Sequence, residues 1–171
     1  MAAMSAEEII DIVDERDRVV GRASRREAYA RGLRHRVVFV QVRDAEGRIF
    51  VHRRTATKAI YPCLYDPFVG GVVAAGESYD DAALREAEEE LGVSGLPRPR
   101  RLFTFLYADD AGASWWSAVY AVRCDLAVRP QVEEVAWYDF LPEEELEARI
   151  TDREWVPDGM EAYRRVRESA G

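Results

Sequence analysis

The chain has 171 residues, 24 Lys and Arg against 32 Asp and Glu, and a formal net charge of −8. That length predicts one domain able to bury about 70% of its unfolded surface, and the acidic balance argues against a protein built to grip nucleic-acid backbone or an anionic membrane, both of which need clustered Lys and Arg. With no apolar run of the ~20 residues of a membrane span, no signal-like basic and apolar start in MAAMSAEEIIDIVDE, and only Cys63 and Cys124 as thiols, the expectation is a cytoplasmic protein with reduced cysteines.

In chain order, residues 7–13 read as a strand, and Asp14–Asp17 turn it toward RVVGR, giving a short edge hairpin. Ser24 is a good helix N-cap and Gly32 a good stop, so a helix lies between them. Residues 35–54 form the clearest hairpin, two β-branched runs around Asp44-Ala45-Glu46-Gly47. Residues 55–68, with aromatics but no period, read as a loop. A helix follows over 78–91, then strands over 101–108 and 114–124 joined through Asp109-Asp110-Ala111-Gly112, and a strand over 132–140. Helices over 141–150 and 158–170 close the chain. Strands and helices mixed in this way predict an α/β fold, a mixed β-sheet sandwiched between α-helices. We read residues 1–171 as one domain, with the hairpin and helix of residues 5–34 preceding its core.

The helix over 78–91 carries the chemistry. Ser78 and Asp81 make a start resembling a capping box, and Gly92 stops the helix. With Arg85 at zero, Glu89 falls near 40°, Glu86 near 100° and Glu90 near 140°, while Leu84, Ala83, Ala87 and Leu91 fall between about 160° and 260°. One face packs on the sheet; the adjacent one holds three carboxylates. Taken alone, that reads as a solvated acidic face. The physical alternative is a site for hard divalent cations, which carboxylate oxygens suit and which turn the mutual repulsion of the acids into attraction.

Spacing separates the two readings. Gly71, Glu77, Arg85-Glu86, Ala87, Glu89-Glu90, Gly92 and Val93 fill every fixed position of G-x5-E-x7-R-E-U-x-E-E-x-G-U, with U aliphatic. Seven fixed residues match by chance on the order of 10⁻⁸ per start. The pattern is the Nudix box, and the sequence resembles Nudix hydrolases, with strands around the box that suit that fold along most of the chain. The resemblance implies metal-assisted attack of water on a diphosphate in a nucleoside diphosphate derivative, with Mg²⁺ or Mn²⁺ as cofactor. It implies Glu86, Arg85 and Glu90 as catalytic residues. It implies Glu86, Glu89 and Glu90 as metal ligands, with Gly70 through its carbonyl, and Glu77 through water or as the closure of the loop to the helix. Some relatives use an acid before a late strand, where Glu133 and Glu134 stand here.

Phosphates near such a site need cations. Arg53, Arg54 and Lys58 follow the strand IFVH, and Phe68 is among the aromatics available for stacking. The partner expected is a small nucleotide; no membrane or nucleic-acid partner is expected, and self-association is left open. The N-terminal stretch also resembles the Nudix branch that includes isopentenyl-diphosphate isomerase. By alignment on the box, however, Gly70 stands where that isomerase needs Cys; His35 matches one His of its metal cage, but Ala28 and Val72 stand where the other two would be, and SWWSAVYAV carries no Glu. An acid–base isomerisation lacks its groups here. A catalytically silent nucleotide-binding module would show lost box acids, and none is lost.

Overall fold

The computed structural model describes residues 6–170; the start of the N-terminal unit at residue 5 lies outside them. Strand β1 (Ile9–Val13) pairs antiparallel with β2 (Val19–Ser24), the expected hairpin. Helix α1 (Arg25–Arg31) begins at Ser24, whose hydroxyl accepts from the Glu27 amide, and ends at Gly32 in the left-handed conformation.

The main sheet is organised around β3 (His35–Arg43). It runs parallel to β8 (Ser114–Arg123) over its whole length, and β8 pairs antiparallel with β7 (Arg100–Ala108). Side chains of β3 alternate between two cores. Val38, Val40 and Val42 join Ala82, Ala83, Ala87 and Leu91 of α2 (Tyr79–Leu91). Phe39 faces the opposite layer, with Leu146 of α3 (Glu143–Arg149) and Ala162 and Tyr163 of α4 (Pro157–Ala170). Burial on both faces explains why the run VVFV is continuously apolar rather than alternating. The mixed sheet between helical layers is the architecture the sequence predicts. No helix among the described residues is long and apolar enough to cross a membrane.

The predicted hairpin over 35–54 exists, but its strands part immediately. β3 meets β4 (Ile49–Arg54) only at Arg43↔Ile49. Beyond that point β4 pairs with β9 (Val135–Leu141) and β5 (Tyr65–Asp66), while β3 takes β6 (Val69–Val72) from Val40↔Val69 to Val37↔Val72. The resulting fork opens at the amino end of β3. Sequence reading passes over β5 and β6 because one has two residues and the other is built on Gly-Gly, a poor strand former. The glycine is required: a Cβ on Gly70 would lie 1.9 Å from the Val38 carbonyl oxygen. The last strand starts later than predicted, since Glu134 and Val135 both donate from their amides to the Gln131 carbonyl and turn residues 132–134 out of the sheet.

Candidate active site

Helix α2 is fixed at both ends. The Ser78 hydroxyl accepts from the Asp81 amide, and Gly92 ends the helix at φ 65°, its amide donating back to Glu88 and Glu89. Between these caps the buried side carries glutamates as well as alanines. Glu86 is 8% exposed and Glu90 7%. The helical wheel places them beside the apolar face; the structure places them within it. β6 makes this room. The Gly70 amide donates to Glu90 Oε2 at 2.9 Å, and a Cβ on Gly71 would stand 2.6 Å from the Glu86 carboxyl carbon.

Arg85 ties the acids together. Its Nε donates to Glu77 Oε2 at 2.7 Å and its Nη2 to Glu77 Oε1 at 2.9 Å; its Nη1 donates to Glu86 at 2.8 Å and to Glu89 at 3.5 Å. Glu77 also accepts from the Ala74 amide, so it closes the loop ahead of the helix. Even with this cation, burial raises the Glu86 carboxyl to about 7. Burial, and then the charge of Glu86, raises Glu90 to about 8; Glu89 is also raised by burial.

Glu86, Glu89, Glu90 and Gly70 line one small cavity of about 90 Å³ with Arg54, Lys58 and Glu134. Lys58 and Glu134 form an ion pair there. Three sequence expectations part from this arrangement. Phe68 is 1% exposed and packs on Phe39 in the core, where its carbonyl meets His52 Nε2, so it is not at hand for stacking on a substrate. Arg53 points along the other side of β4, donating to the Cys63 carbonyl and lying over the Tyr65 ring. Glu133 is exposed, and only its carbonyl is engaged, by Thr55; of the two late acids Glu134 is the one at the cavity.

Among the described residues no three His, Cys, Asp or Glu side chains form a ready-made metal cage. The donor set nonetheless fits a hard divalent cation. It consists of carboxylate oxygens, two of the acids are buried, and the charge of each raises or is raised by its neighbour. Arg85 pairs with Glu86 and Glu89 from the same helix, and Lys58 pairs with Glu134 at the same cavity.

A second cavity of about 390 Å³ adjoins the first, sharing Tyr29, Arg54, Gly70, Gly71, Val72 and Glu90 with it. It fills the fork between β3 and β4. Its deeper part holds Trp115, one of the aromatics the sequence offers for stacking, with His35, Asp66 and Asp158, which sequence reading does not assign to the site. No motif links them, because they come from β3, β5, β8 and α4. Burial raises Asp66 to about 7 and Asp158 to about 6. Tyr29 had a weak signal available: with Arg25 it makes an i,i+4 pair on one face of α1.

The N-terminal hairpin latches the loop of the box. Asp11, buried, accepts from the Gly76 amide and from Arg22. The Ala75 amide donates to the Ile9 carbonyl, and the Tyr79 hydroxyl to Asp17, which also holds Arg36.

Comparison with known proteins gives the chain its relatives. The family model of the NUDIX domain matches residues 33–159. A Streptomyces coelicolor protein named as an uncharacterized Nudix hydrolase is 71% identical over 167 residues, 98% of this chain and 92% of its own. The Nudix hydrolase YfcD of Escherichia coli is 37% identical over 159 residues, 93% of this chain and 86% of its own. The crystal structure of DR0079 from Deinococcus radiodurans superposes with a TM-score of 0.77 at 33% identity, covering 92% of this chain and 98% of that one.

Proposed function

The chain belongs to the Nudix hydrolase family, and on that premise we propose that it hydrolyses a diphosphate linkage in nucleoside diphosphate derivatives. The first class to test is nucleoside and deoxynucleoside 5′-di- and triphosphates, cleaved to the monophosphate. The supporting observation is the shared cavity: Glu86, Glu89 and Glu90 stand opposite Arg54 and Lys58, oxygen donors for cations beside cations for phosphate.

We assign Glu86, Glu89 and Glu90, with Gly70 at the strand edge, to Mg²⁺ or Mn²⁺. A bound divalent ion would neutralise phosphate charge and lower the pKa of a water it holds. The chain's own residues do the rest. Arg85 fixes the Glu86 carboxylate, and Glu77 fixes Arg85, so the acid that accepts a proton from the attacking water keeps one orientation. Arg54, at the junction of the two cavities, contacts a phosphate whose substituent lies in the larger one. Lys58, held by Glu134, contacts the phosphate on the metal side.

Phosphate or pyrophosphate release from a nucleotide panel with Mg²⁺ tests this, and ¹⁸O-labelled water marks the phosphorus attacked. Metal-dependent release supports the reading; folded protein that releases nothing from any diphosphate with either metal overturns it. Steady-state kinetics separate the arginines. Arg54→Ala should raise KM about tenfold or more with a smaller effect on kcat, the loss of one charge-assisted contact. Arg53→Ala should stay within about twofold, because its guanidinium serves the Cys63 carbonyl and the Tyr65 ring.

A further inference from the structure

The larger cavity has an unequal distribution of polar groups. Its sides are apolar and aromatic, with Tyr29, Phe39 and Trp115 among them, and such walls take a planar ring. Its deep polar groups mostly accept hydrogen bonds. His35, 6% exposed, has Nδ1 2.9 Å from the Leu33 carbonyl. A carbonyl accepts, so Nδ1 carries the proton and Nε2 presents a lone pair. Burial lowers the His35 pKa and keeps the ring neutral. Asp66, also 6% exposed, accepts from the Phe68 amide through Oδ1 at 2.9 Å. Its Oδ2 accepts from no described residue. The neighbouring Asp158 is already engaged, Oδ2 by Trp115 Nε1 at 3.0 Å and Oδ1 by the Gly159 amide, and so holds the Trp115 ring rather than a ligand.

We propose that this cavity binds the nucleobase of the substrate, and that Asp66, with His35 lining the same cavity, makes the enzyme selective for bases that carry an exocyclic amino group. This rests on the diphosphate-hydrolase reading above and adds the recognition of the group attached to the diphosphate. A hydrocarbon tail would fill the apolar walls but leave the Asp66 and His35 acceptors buried without donors, which is costly. With Asp66 ionised, a base presenting only carbonyl oxygens would set acceptor against acceptor. An amino-bearing heterocycle satisfies both the aromatic walls and the acceptors, and the phosphates then lie at Arg54, where the two cavities meet.

The test compares pairs of diphosphates that differ only by the amino group: guanosine against inosine, and adenosine against purine riboside. Assays run well above neutral pH, where Asp66 is ionised. In the unaltered protein, deleting the amino group should lower kcat/KM about tenfold or more in at least one pair, because a site built to hydrogen-bond a group rejects the analogue lacking it. Asp66→Asn sharpens the readout. The Asn carbonyl would stay on the Phe68 amide and turn its NH₂ into the cavity, replacing an acceptor by a donor. The ratio within that pair should then fall to about one or invert. Ratios near one for both pairs in the unaltered protein overturn the proposal, as does an undiminished ratio in Asp66→Asn. Quenching of tryptophan fluorescence by the free nucleosides reads the same preference without hydrolysis. A chain that binds amino-bearing nucleosides selectively yet cleaves no diphosphate would refute the hydrolase reading alone. A chain that cleaves diphosphates with no preference within either pair would refute the base assignment alone.

Discussion

Glu86→Gln should lower kcat by about 10² or more at saturating Mg²⁺, and Glu90→Gln by a similar factor, the scale of a lost proton acceptor or electrostatic contact. Near-normal turnover in both would remove these residues from the site. The same substitutions should not damage the fold. Each replaces a buried carboxylate, set against another buried carboxylate, with a neutral group of the same shape. The sign follows from proton linkage. In the folded chain Glu86 and Glu90 are raised to about 7 and 8, above their unfolded values, so the folded state holds more protons between those values. Their contribution to stability is present at low pH and is lost as pH rises through 7 to 8. Asp66 and Asp158, raised to about 7 and 6, act in the same direction. His52, buried and lowered to about 4, acts oppositely and removes stability as pH falls below its unfolded value. Thermal melts without metal should therefore decline from pH 6.5 to 8.5. Mg²⁺ should raise Tm more at the upper end of that window, where the ligands are ionised. A flat metal-free profile with a Mg²⁺ effect independent of pH would contradict the burial of these acids.

Gly92→Ala should be the most damaging single methyl group on the helix. At φ 65° an alanine is strained by about 1 kcal/mol, and its Cβ would lie 1.9 Å from the Arg129 carbonyl oxygen, a backbone atom held in place by the Arg129 amide on Leu91 at 2.7 Å. Neither partner is a side-chain end that can swing away. The expected loss is about 3 to 5 kcal/mol, a fall in Tm of roughly 10 °C or more for a chain of this length. Gly95, also at positive φ but with nothing near its Cβ, provides the control: Gly95→Ala should cost only the backbone strain. Equal melting temperatures for the two variants would show that the chain around Arg129 gives way.

The parts legible in the sequence are those whose cause is local. Ser24 and Gly32, and Ser78 and Gly92, state where α1 and α2 begin and end, because a cap acts on the amides beside it. The box is legible because its glutamates share one helix, so spacing alone sets their geometry. What escaped is what depends on partners distant in the chain. β6 is a strand only because β3 lies against it, and its glycines argue the other way. Glu86 and Glu90 look solvated on a helical wheel, since the wheel does not contain Gly70 and Gly71, whose missing side chains admit them to the interior. Arg53 and Arg54 are adjacent in sequence, but neighbouring strand residues point to opposite faces, and only the pairing of β4 decides which one meets the cavity. Asp66 and Asp158 lie ninety-two positions apart and carry no shared pattern at all.

Residues Ala28, Tyr29 and Gly32 of the larger cavity come from α1 and its cap, ahead of the span matched by the family, whereas the glutamates come from α2. One wall of the larger cavity is thus written on a stretch of chain separate from the box, while Asp66 and His35 lie within the matched span. Substitutions along a seven-residue helix can therefore remould that wall while the glutamates, the caps and the strand edge they rest on stay as they are.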